Sequence, residues 1–207
     1  NATYLPNFPV QTTVSEHKTQ LFGIEGKRIV SLANLREDKN HFLLLKVAEK
    51  LKQSHPDWTF HLVGKDFEDD YAFQIKKLIA AKGLENNVFL YGSKEDVENI
   101  LNQASIGILT SQSEGLPVAL LEYGLYKKAV VVTHVGEISM IVQHNNNNNN
   151  GFIIDSNEPN LFYQSLVNLV QSETLRADFG NALFNTVQSE YTAESVIKKY
   201  LNWLQNS

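Results

Sequence analysis

Cysteine is absent from the 207-residue sequence, so neither a disulfide framework nor a thiolate metal site can form. Positive charge is also scarce, because 18 Lys and Arg residues stand against 23 Asp and Glu residues, a net charge of -5. Nucleic-acid-binding domains usually carry the opposite excess, so we expect no nucleic-acid partner. No apolar run approaches the roughly 18 residues that a membrane span needs.

The first ten residues, NATYLPNFPV, lack the charged region and the apolar block of a signal peptide, and they lack an initiator methionine. We therefore expect a cytoplasmic domain that is a fragment or a processed form. The length and the 43% hydrophobic content suit one globular domain with a sizeable core.

Several catalytic signatures are missing as well. The sequence has no G-x-G-x-x-G after its first predicted strand, no G-x-x-x-x-G-K-[ST] and no G-x-S-x-G. These absences argue against a nicotinamide dehydrogenase, a P-loop enzyme and a hydrolase with a nucleophile elbow. The six histidines show no metal-binding spacing.

Two kinds of segment alternate through the middle of the chain. Short, nearly continuous apolar runs predict strands buried on both faces, at residues 27–33, 58–64, 88–92, 106–111, 129–134 and 151–155. Helical patterns lie between them at 41–53, 71–83, 97–103 and 117–126. The alternation predicts an α/β fold: a Rossmann-like, doubly wound parallel sheet of about six strands with helices on both faces.

The two ends of the chain differ from this pattern. Residues 1–25 show no periodicity and are interpreted as a linker arm, which leaves 26–207 as the domain. From about Glu158 onward only helices are predicted, the last beginning at a capping Thr192. The six asparagines at 145–150 are interpreted as a solvated loop.

The stretch SQSEGLPVALLEYG (111–124) carries the first candidate site. It follows a strand, and ligands of doubly wound sheets bind at the carboxyl ends of the strands. Gly115 allows close approach of the backbone, and Pro117 is predicted at the first helical position. The free amides of that first turn predict a phosphate-binding site.

Two carboxylates flank this helix start. Glu122 lies among apolar helix residues, where a carboxylate is costly unless it is paired. It is either a ligand for vicinal hydroxyls, such as those of a ribose, or a residue on the one solvated stripe of the helix. Glu114 either compensates the helix dipole or holds a sugar hydroxyl. After the first strand, Arg36 and Lys39 either neutralise a diphosphate or belong to a solvated turn.

The segment S-x-x-E-G-L-P-x-x-L-L-E resembles the E-x₇-E signature of retaining glycosyltransferases of family 4, the glycosyl transferase group 1 type. VSLANLREDKNHFLLL, FHLVGKDFED, GLENNVFLYGSKEDVENIL, THVGEISMIV and NGFIID are similar to other segments of that family, in the same order. The resemblance implies one half of a GT-B fold, the half that binds a nucleotide-sugar donor. It also implies that an amino-terminal acceptor domain is missing from this chain. Any membrane association, peripheral at the inner face, is expected only through that half.

The resemblance assigns roles to particular residues. Glu122 matches the acid that holds the ribose, and Glu114 the acid that contacts the transferred sugar. Gly115, Leu116 and Pro117 match the backbone against sugar and diphosphate, and Lys39 matches a diphosphate-binding lysine. Ser93 and Lys94 fall where the base is held by backbone groups. Glu114 and Lys39 are thus the candidate catalytic residues, and neither a metal nor a cofactor is expected.

Three departures from the family pattern weaken parts of this assignment. Asn34 stands where the family usually has an arginine, which Arg36 can replace. Met140 stands where a glutamate is common, and the asparagine run makes its loop about three residues longer. Two alternatives therefore stay open: another GT-B enzyme, such as a sugar-nucleotide epimerase or a sugar phosphorylase, and a degenerate domain that only binds nucleotide or a protein partner. In every case we expect no transfer by the isolated domain.

Overall fold

Six parallel strands form the central sheet of the computed structural model, which describes residues 6–9, 18–145, 148–156 and 158–205. The strands are β1 (Arg28–Leu32), β2 (Thr59–Val63), β3 (Val88–Leu90), β4 (Ile106–Leu109), β5 (Ala129–Thr133) and β8 (Phe152–Ile154). Their order across the sheet is β3-β2-β1-β4-β5-β8. Two further strands, β6 (His144–Asn145) and β7 (Asn148–Asn149), form a separate hairpin between β5 and β8. All six predicted strands of the sheet are confirmed.

Eight helices are described: α1 (His41–Ser54), α2 (Asp70–Ala81), α3 (Val97–Gln103), α4 (Val118–Leu125), α5 (Ile138–Ile141), α6 (Pro159–Gln171), α7 (Glu173–Glu190) and α8 (Ala193–Gln205). Helices α1, α2 and α6 pack in one hydrophobic cluster, and α3, α4 and α5 in the other. Successive strand residues point to opposite faces, so Ile29 joins the first cluster and Val30 the second. The strands are therefore mostly apolar and buried on both faces, as the sequence indicated.

The asparagine run is more structured than predicted. His144 and Asn145 pair with Asn149 and Asn148 in an antiparallel hairpin. Asn150 is fully buried: its side-chain oxygen accepts from the Gln143 amide at 2.7 Å, and its nitrogen donates to the Ile141 carbonyl at 2.8 Å. The prediction of a solvated loop is wrong for this residue, because a side-chain amide can satisfy buried backbone groups in both senses. Residues 146 and 147 lie outside the described part of the chain.

The carboxyl-terminal helices are confirmed. The Thr192 hydroxyl accepts a hydrogen bond from the Ser195 amide at 3.1 Å, which is the predicted cap of α8. On α8 Val196 is buried, whereas Tyr200 and Leu204 are exposed. In the part of the chain that the structure describes, no helix is long and apolar enough to cross a membrane.

The described end of the predicted linker arm packs on the domain. The Thr19 amide and hydroxyl both donate to the Asp96 carboxylate, at 2.8 and 2.7 Å, and Leu21 is buried in the second cluster. Residues 1–5 and 10–17 lie outside the described residues. The boundary between arm and domain at residue 25 stays a prediction.

Because two histidines are buried, we predict that the protein loses much of its stability in acid. Burial lowers the pKa of His41 to about 4 and the pKa of His61 to about 3. In the unfolded chain both imidazoles take up protons near pH 6.5, so below that pH the unfolded state binds more protons and the free energy of unfolding falls. We expect a loss of roughly 2–4 kcal/mol between pH 6.5 and pH 5, measured by urea unfolding at several pH values.

A matched pair of variants tests the origin of that loss. His61 is fully buried and its ring is hydrogen-bonded to the hydroxyls of Thr59 and Tyr91, at 2.8 and 2.9 Å. His61→Gln should therefore flatten the dependence of unfolding free energy on pH, with exposed His134→Gln as the control. An unchanged slope in His61→Gln would contradict the assignment.

Candidate functional site

A crevice opens where β1 and β4 separate at their carboxyl ends. β1 pairs with β2 as far as Leu32, and β4 pairs with β5 as far as Leu109, but the pairing of β1 with β4 stops at Val30 and Gly107. The strand order also reverses between β1 and β4, since β2 and β3 follow on one side and β5 on the other. This point is a topological switch, the usual place for a ligand in an open α/β sheet.

A pocket of about 290 Å³ occupies the crevice. It is lined by Leu32, Ala33, Asn34, Lys39, Val63, Leu109, Glu114, Pro117, Val118, Ala119 and Glu122. Five of the residues singled out from sequence thus meet in one cavity, although they come from separate parts of the chain.

Lys39 and Glu114 form the polar centre of the pocket. The Lys39 ammonium lies 2.8 Å from Glu114 Oε1, and the Ser111 hydroxyl donates to the same oxygen at 2.6 Å. The Glu114 side chain is 10% exposed and the Lys39 side chain 20% exposed, so the pair is shielded but reachable from solvent. The Lys39 ammonium and the Glu114 carboxylate therefore lie at one edge of the cavity, where a ligand can reach both.

Hydroxyl groups fix the backbone around this pair. The Thr110 hydroxyl donates to the Lys39 carbonyl at 2.9 Å, and the Thr133 hydroxyl donates to the Ser111 carbonyl at 2.6 Å. Sequence reasoning missed Thr110, Ser111 and Thr133 as part of the site. The available signal was their position at the carboxyl ends of two buried strands, where ligands of such sheets bind: Thr110 and Ser111 directly follow β4, and Thr133 is the last residue of β5.

Two glycines shape the loop that carries Glu114. At Gly136, φ is +53° and a Cβ atom would lie 2.0 Å from the Glu114 carbonyl oxygen, so only glycine fits there. The next residue, Glu137, donates its amide to the Gly115 carbonyl at 3.1 Å. At Gly115 itself a Cβ atom would meet nothing within 4 Å, so the absent side chain leaves open space beside Glu114.

The amino end of α4 faces the pocket. Pro117 is the N-cap, with an extended ψ of 119°, and Val118 is the first helical residue, so the predicted position of Pro117 is wrong by one residue. The reason is local: Pro117 fixes only φ, which suits both positions. Within the part of the chain that the structure describes, no side chain caps this helix end, so its first amides remain available to an anion.

Glu122 lies half-buried on the pocket wall, one turn into α4. Burial raises the pKa of its carboxyl group above the usual value. Among the described residues, no group donates a hydrogen bond to this carboxylate. A partly desolvated acid without a protein donor is suited to accept hydrogen bonds from the hydroxyls of a ligand.

Asn34 and Arg36 take different positions. Asn34 lines the pocket, and its side-chain oxygen accepts a hydrogen bond from the Lys65 amide at 2.7 Å. The Arg36 side chain is 58% exposed, and its Nε atom lies 3.3 Å from the Asp38 carboxylate. Arg36 lines a neighbouring surface groove and not the pocket, and its replacement of the family arginine stays a prediction.

The remaining predicted residues lie outside the cavity. Ser93 and Lys94 are exposed after the end of β3 and do not line the pocket, whereas Leu116 is buried beneath it in the second hydrophobic cluster. Met140 is 53% exposed on α5. Within the described ranges no group of three or more His, Asp or Glu residues could hold a metal ion, and independence from metal stays a prediction.

Comparisons with known proteins agree with this architecture. The chain is 27% identical over 197 residues to the poly(ribitol-phosphate) alpha-N-acetylglucosaminyltransferase of Staphylococcus aureus, covering 94% of this chain and 38% of that protein. A structure of a TarM mutant from S. aureus, in complex with Fondaparinux, alpha-GlcNAc-glycerol and UDP, superposes with a TM-score of 0.75 at 26% identity, covering 92% of this chain and 37% of that one.

HepE from Anabaena, solved in complex with UDP, shares the fold with a TM-score of 0.79 at 21% identity, covering 87% of this chain and 49% of that one. These neighbours have the GT-B fold, and the sheet with its two helical layers is consistent with one half of it. The chain spans about half or less of the length of the curated relatives it matches. Residues 15–185 match the family described as glycosyl transferases group 1, and the chain belongs to that family.

Proposed function

We propose that this chain is the donor-binding domain of a retaining glycosyltransferase of family 4, which transfers a sugar from a nucleotide diphosphate sugar without a metal ion. One observation carries the proposal. Lys39, Glu114, Glu122 and the uncapped amino end of α4 line the same cavity at the switch point of the sheet. The positive groups suit a diphosphate, and the two carboxylates suit the hydroxyls of a ribose and of a sugar.

The positions of the groups suggest how a donor lies in the pocket. The diphosphate faces the first amides of α4 and the Lys39 ammonium, because these are the positive groups of the cavity. The ribose hydroxyls donate to the Glu122 carboxylate, which has no donor from the described part of the protein. The sugar lies towards Glu114, beside the open space at Gly115.

The catalytic role of Lys39 follows from the positive charge of its ammonium group. Negative charge grows on the diphosphate as its bond to the sugar breaks, and groups already aimed at that charge stabilise the transition state. In the ligand-free chain the Lys39 ammonium is neutralised by Glu114 at 2.8 Å and by Asp38 at 3.4 Å. An ammonium has three donors, so Lys39 can bind a phosphate oxygen and still hold Glu114 in place.

The relatives support this proposal at the level of the substrate class. TarM and HepE were both solved with UDP bound. Because the chain spans about half or less of its curated relatives, we propose that an acceptor domain elsewhere in the protein completes the enzyme. Relatives named for amylovoran biosynthesis suggest an acceptor in polysaccharide synthesis. A cytoplasmic location, peripheral at the inner membrane face, is part of the same proposal.

Calorimetric titration of the purified chain with UDP, GDP and ADP tests the proposal. We expect saturable binding of one of the three, weak in the absence of the acceptor domain, with the same affinity in EDTA and in magnesium. Affinity that requires magnesium would contradict metal independence. No binding by a folded chain, together with no binding by the full-length protein, would favour the alternative of a degenerate domain, to which Asn34 and Met140 point.

A further inference from the structure

Tyr123, the residue after Glu122, is fully buried behind the pocket. Its hydroxyl accepts a hydrogen bond from the Leu32 amide at 2.7 Å and lies 3.3 Å from the Ile108 carbonyl oxygen and 3.4 Å from that of Val30. The hydroxyl therefore connects β1 to β4 at the level where these strands stop pairing. A tyrosine side chain reaches this position from α4, one layer above the sheet.

The Tyr123 hydroxyl replaces one backbone hydrogen bond between β1 and β4. In a parallel ladder the Leu32 amide, which points towards β4, would donate directly to a carbonyl of that strand. Here it donates to Tyr123, while β2 and β5 continue to pair with β1 and β4 through Leu32 and Leu109. The separation is thus confined to the β1–β4 boundary, which is where the pocket opens.

Gly107 provides the space for the ring. A Cβ atom at this position would lie 2.7 Å from Cγ and Cδ2 of Tyr123. That approach is too close for any side chain, so the ring can lie against β4 only because residue 107 is glycine. Gly107 and Tyr123 therefore form a complementary pair, one small and one large, at the base of the crevice.

We infer that Tyr123 is a positioning residue for the donor pocket, which acts as a wedge that holds β1 and β4 apart so that the nucleoside can enter. The wedge sets the position of Leu32, Ala33 and Leu109, which line the pocket, and of Glu122, its neighbour on α4. The hydrogen bonds of the Tyr123 hydroxyl go to β1 and β4 and not to the diphosphate groups, Lys39 and the start of α4. This inference rests on the proposed function and predicts that Tyr123 acts on the nucleoside end of the site.

The test uses Tyr123→Phe, which keeps the ring against Gly107 and removes only the hydroxyl. Without it the Leu32 amide lacks its acceptor, a costly state that is relieved when β1 closes onto β4 and narrows the pocket. Titrations compare whichever of UDP, GDP or ADP binds the wild-type chain most tightly with inorganic pyrophosphate. We expect the nucleotide affinity to fall about tenfold or more, while pyrophosphate affinity stays within about twofold.

Two further variants separate a positioning role from general damage. Tyr191→Phe removes another buried tyrosine hydroxyl, one that donates to the Met140 carbonyl at 3.4 Å outside the pocket, and should bind like wild type. Gly107→Ala should displace the Tyr123 ring, so that its hydroxyl no longer accepts from the Leu32 amide. We expect the same loss of nucleotide affinity, again without a loss of pyrophosphate affinity. Combined with Tyr123→Phe, Gly107→Ala should lose less than the sum of the two single effects, because both changes act on one contact.

The outcomes are distinct. Unchanged nucleotide affinity in Tyr123→Phe overturns the wedge and leaves the proposed function intact. An equal fall for nucleotide and pyrophosphate also overturns it, because the loss would then be general. If the wild-type chain and the full-length protein bind none of the nucleotides, the proposed function fails, and this role of Tyr123 fails with it.

Discussion

Replacing Glu122 with alanine is expected to lower the affinity for nucleoside diphosphate by at least roughly 100-fold while the domain stays folded. A carboxylate that accepts two hydroxyl donors makes two hydrogen bonds to a charged group, and each contributes about 1.5–3 kcal/mol. The melting temperature at pH 7 should be unchanged or higher, because the variant removes a half-buried carboxylate whose pKa is raised by burial. Calorimetry and thermal unfolding on the same samples measure both effects.

A ribose-specific comparison makes the Glu122 prediction sharper. Wild-type chain should prefer the ribonucleotide over its 2′-deoxy form, and Glu122→Gln should lose most of that preference. Glu85→Gln is the matched control, since Glu85 is exposed before β3 at the opposite edge of the sheet. If Glu122→Ala binds nucleotide as tightly as the wild type, the ribose assignment is wrong.

A pH series adds an independent measurement on Glu122. Hydroxyl donors favour the ionised carboxylate, whereas burial favours the protonated form of the free protein. Affinity should therefore fall as the pH drops through the pKa of Glu122, which burial raises above the ordinary value of glutamate. Glu122→Gln should not show this decrease.

The second large effect is expected at Lys39. In the full-length enzyme, Lys39→Ala should lower kcat by about 10²–10³-fold, the usual cost of removing one group that stabilises developing charge. Binding of the diphosphate to the isolated chain should weaken by about 10- to 100-fold, since a charge-assisted hydrogen bond is lost. The loss also leaves Glu114, the acid proposed to hold the sugar, without its ammonium partner at 2.8 Å, so this acid is perturbed as well.

Lys46→Ala is the control for Lys39. Lys46 is an exposed lysine on α1, the helix that begins two residues after Lys39. It removes the same net charge from the domain without touching the pocket. Equal losses in the two variants would indicate a general charge effect and not a contact with the diphosphate. A Lys39→Ala enzyme with wild-type kcat would contradict the catalytic role.

Residues with a local signature were predictable from sequence. The strands were found because a parallel sheet covered on both faces needs apolar residues throughout, as in Ile29 and Val30. Glu122 was found because a carboxylate inside an apolar helix is unusual, whereas Glu114, which also suits helix-dipole compensation, was assigned its role by the E-x₇-E resemblance. The prediction for Asn150 failed because its partners, Gln143 and Ile141, are recognised only once α5 and the hairpin are folded.

The sequence by itself determined the parallel α/β fold, the ligand-binding edge and the carboxylates and lysine that meet there, because periodicity and residue type act along the chain. Only the tertiary structure decided which of them share a cavity: Arg36 turns away to Asp38, whereas Lys39 reaches Glu114. Only it placed the Tyr123 hydroxyl between β1 and β4. The Lys39–Glu114 contact joins residues 75 positions apart and the Leu32–Tyr123 contact residues 91 positions apart, and their geometry depends on the packing of whole helices on the sheet.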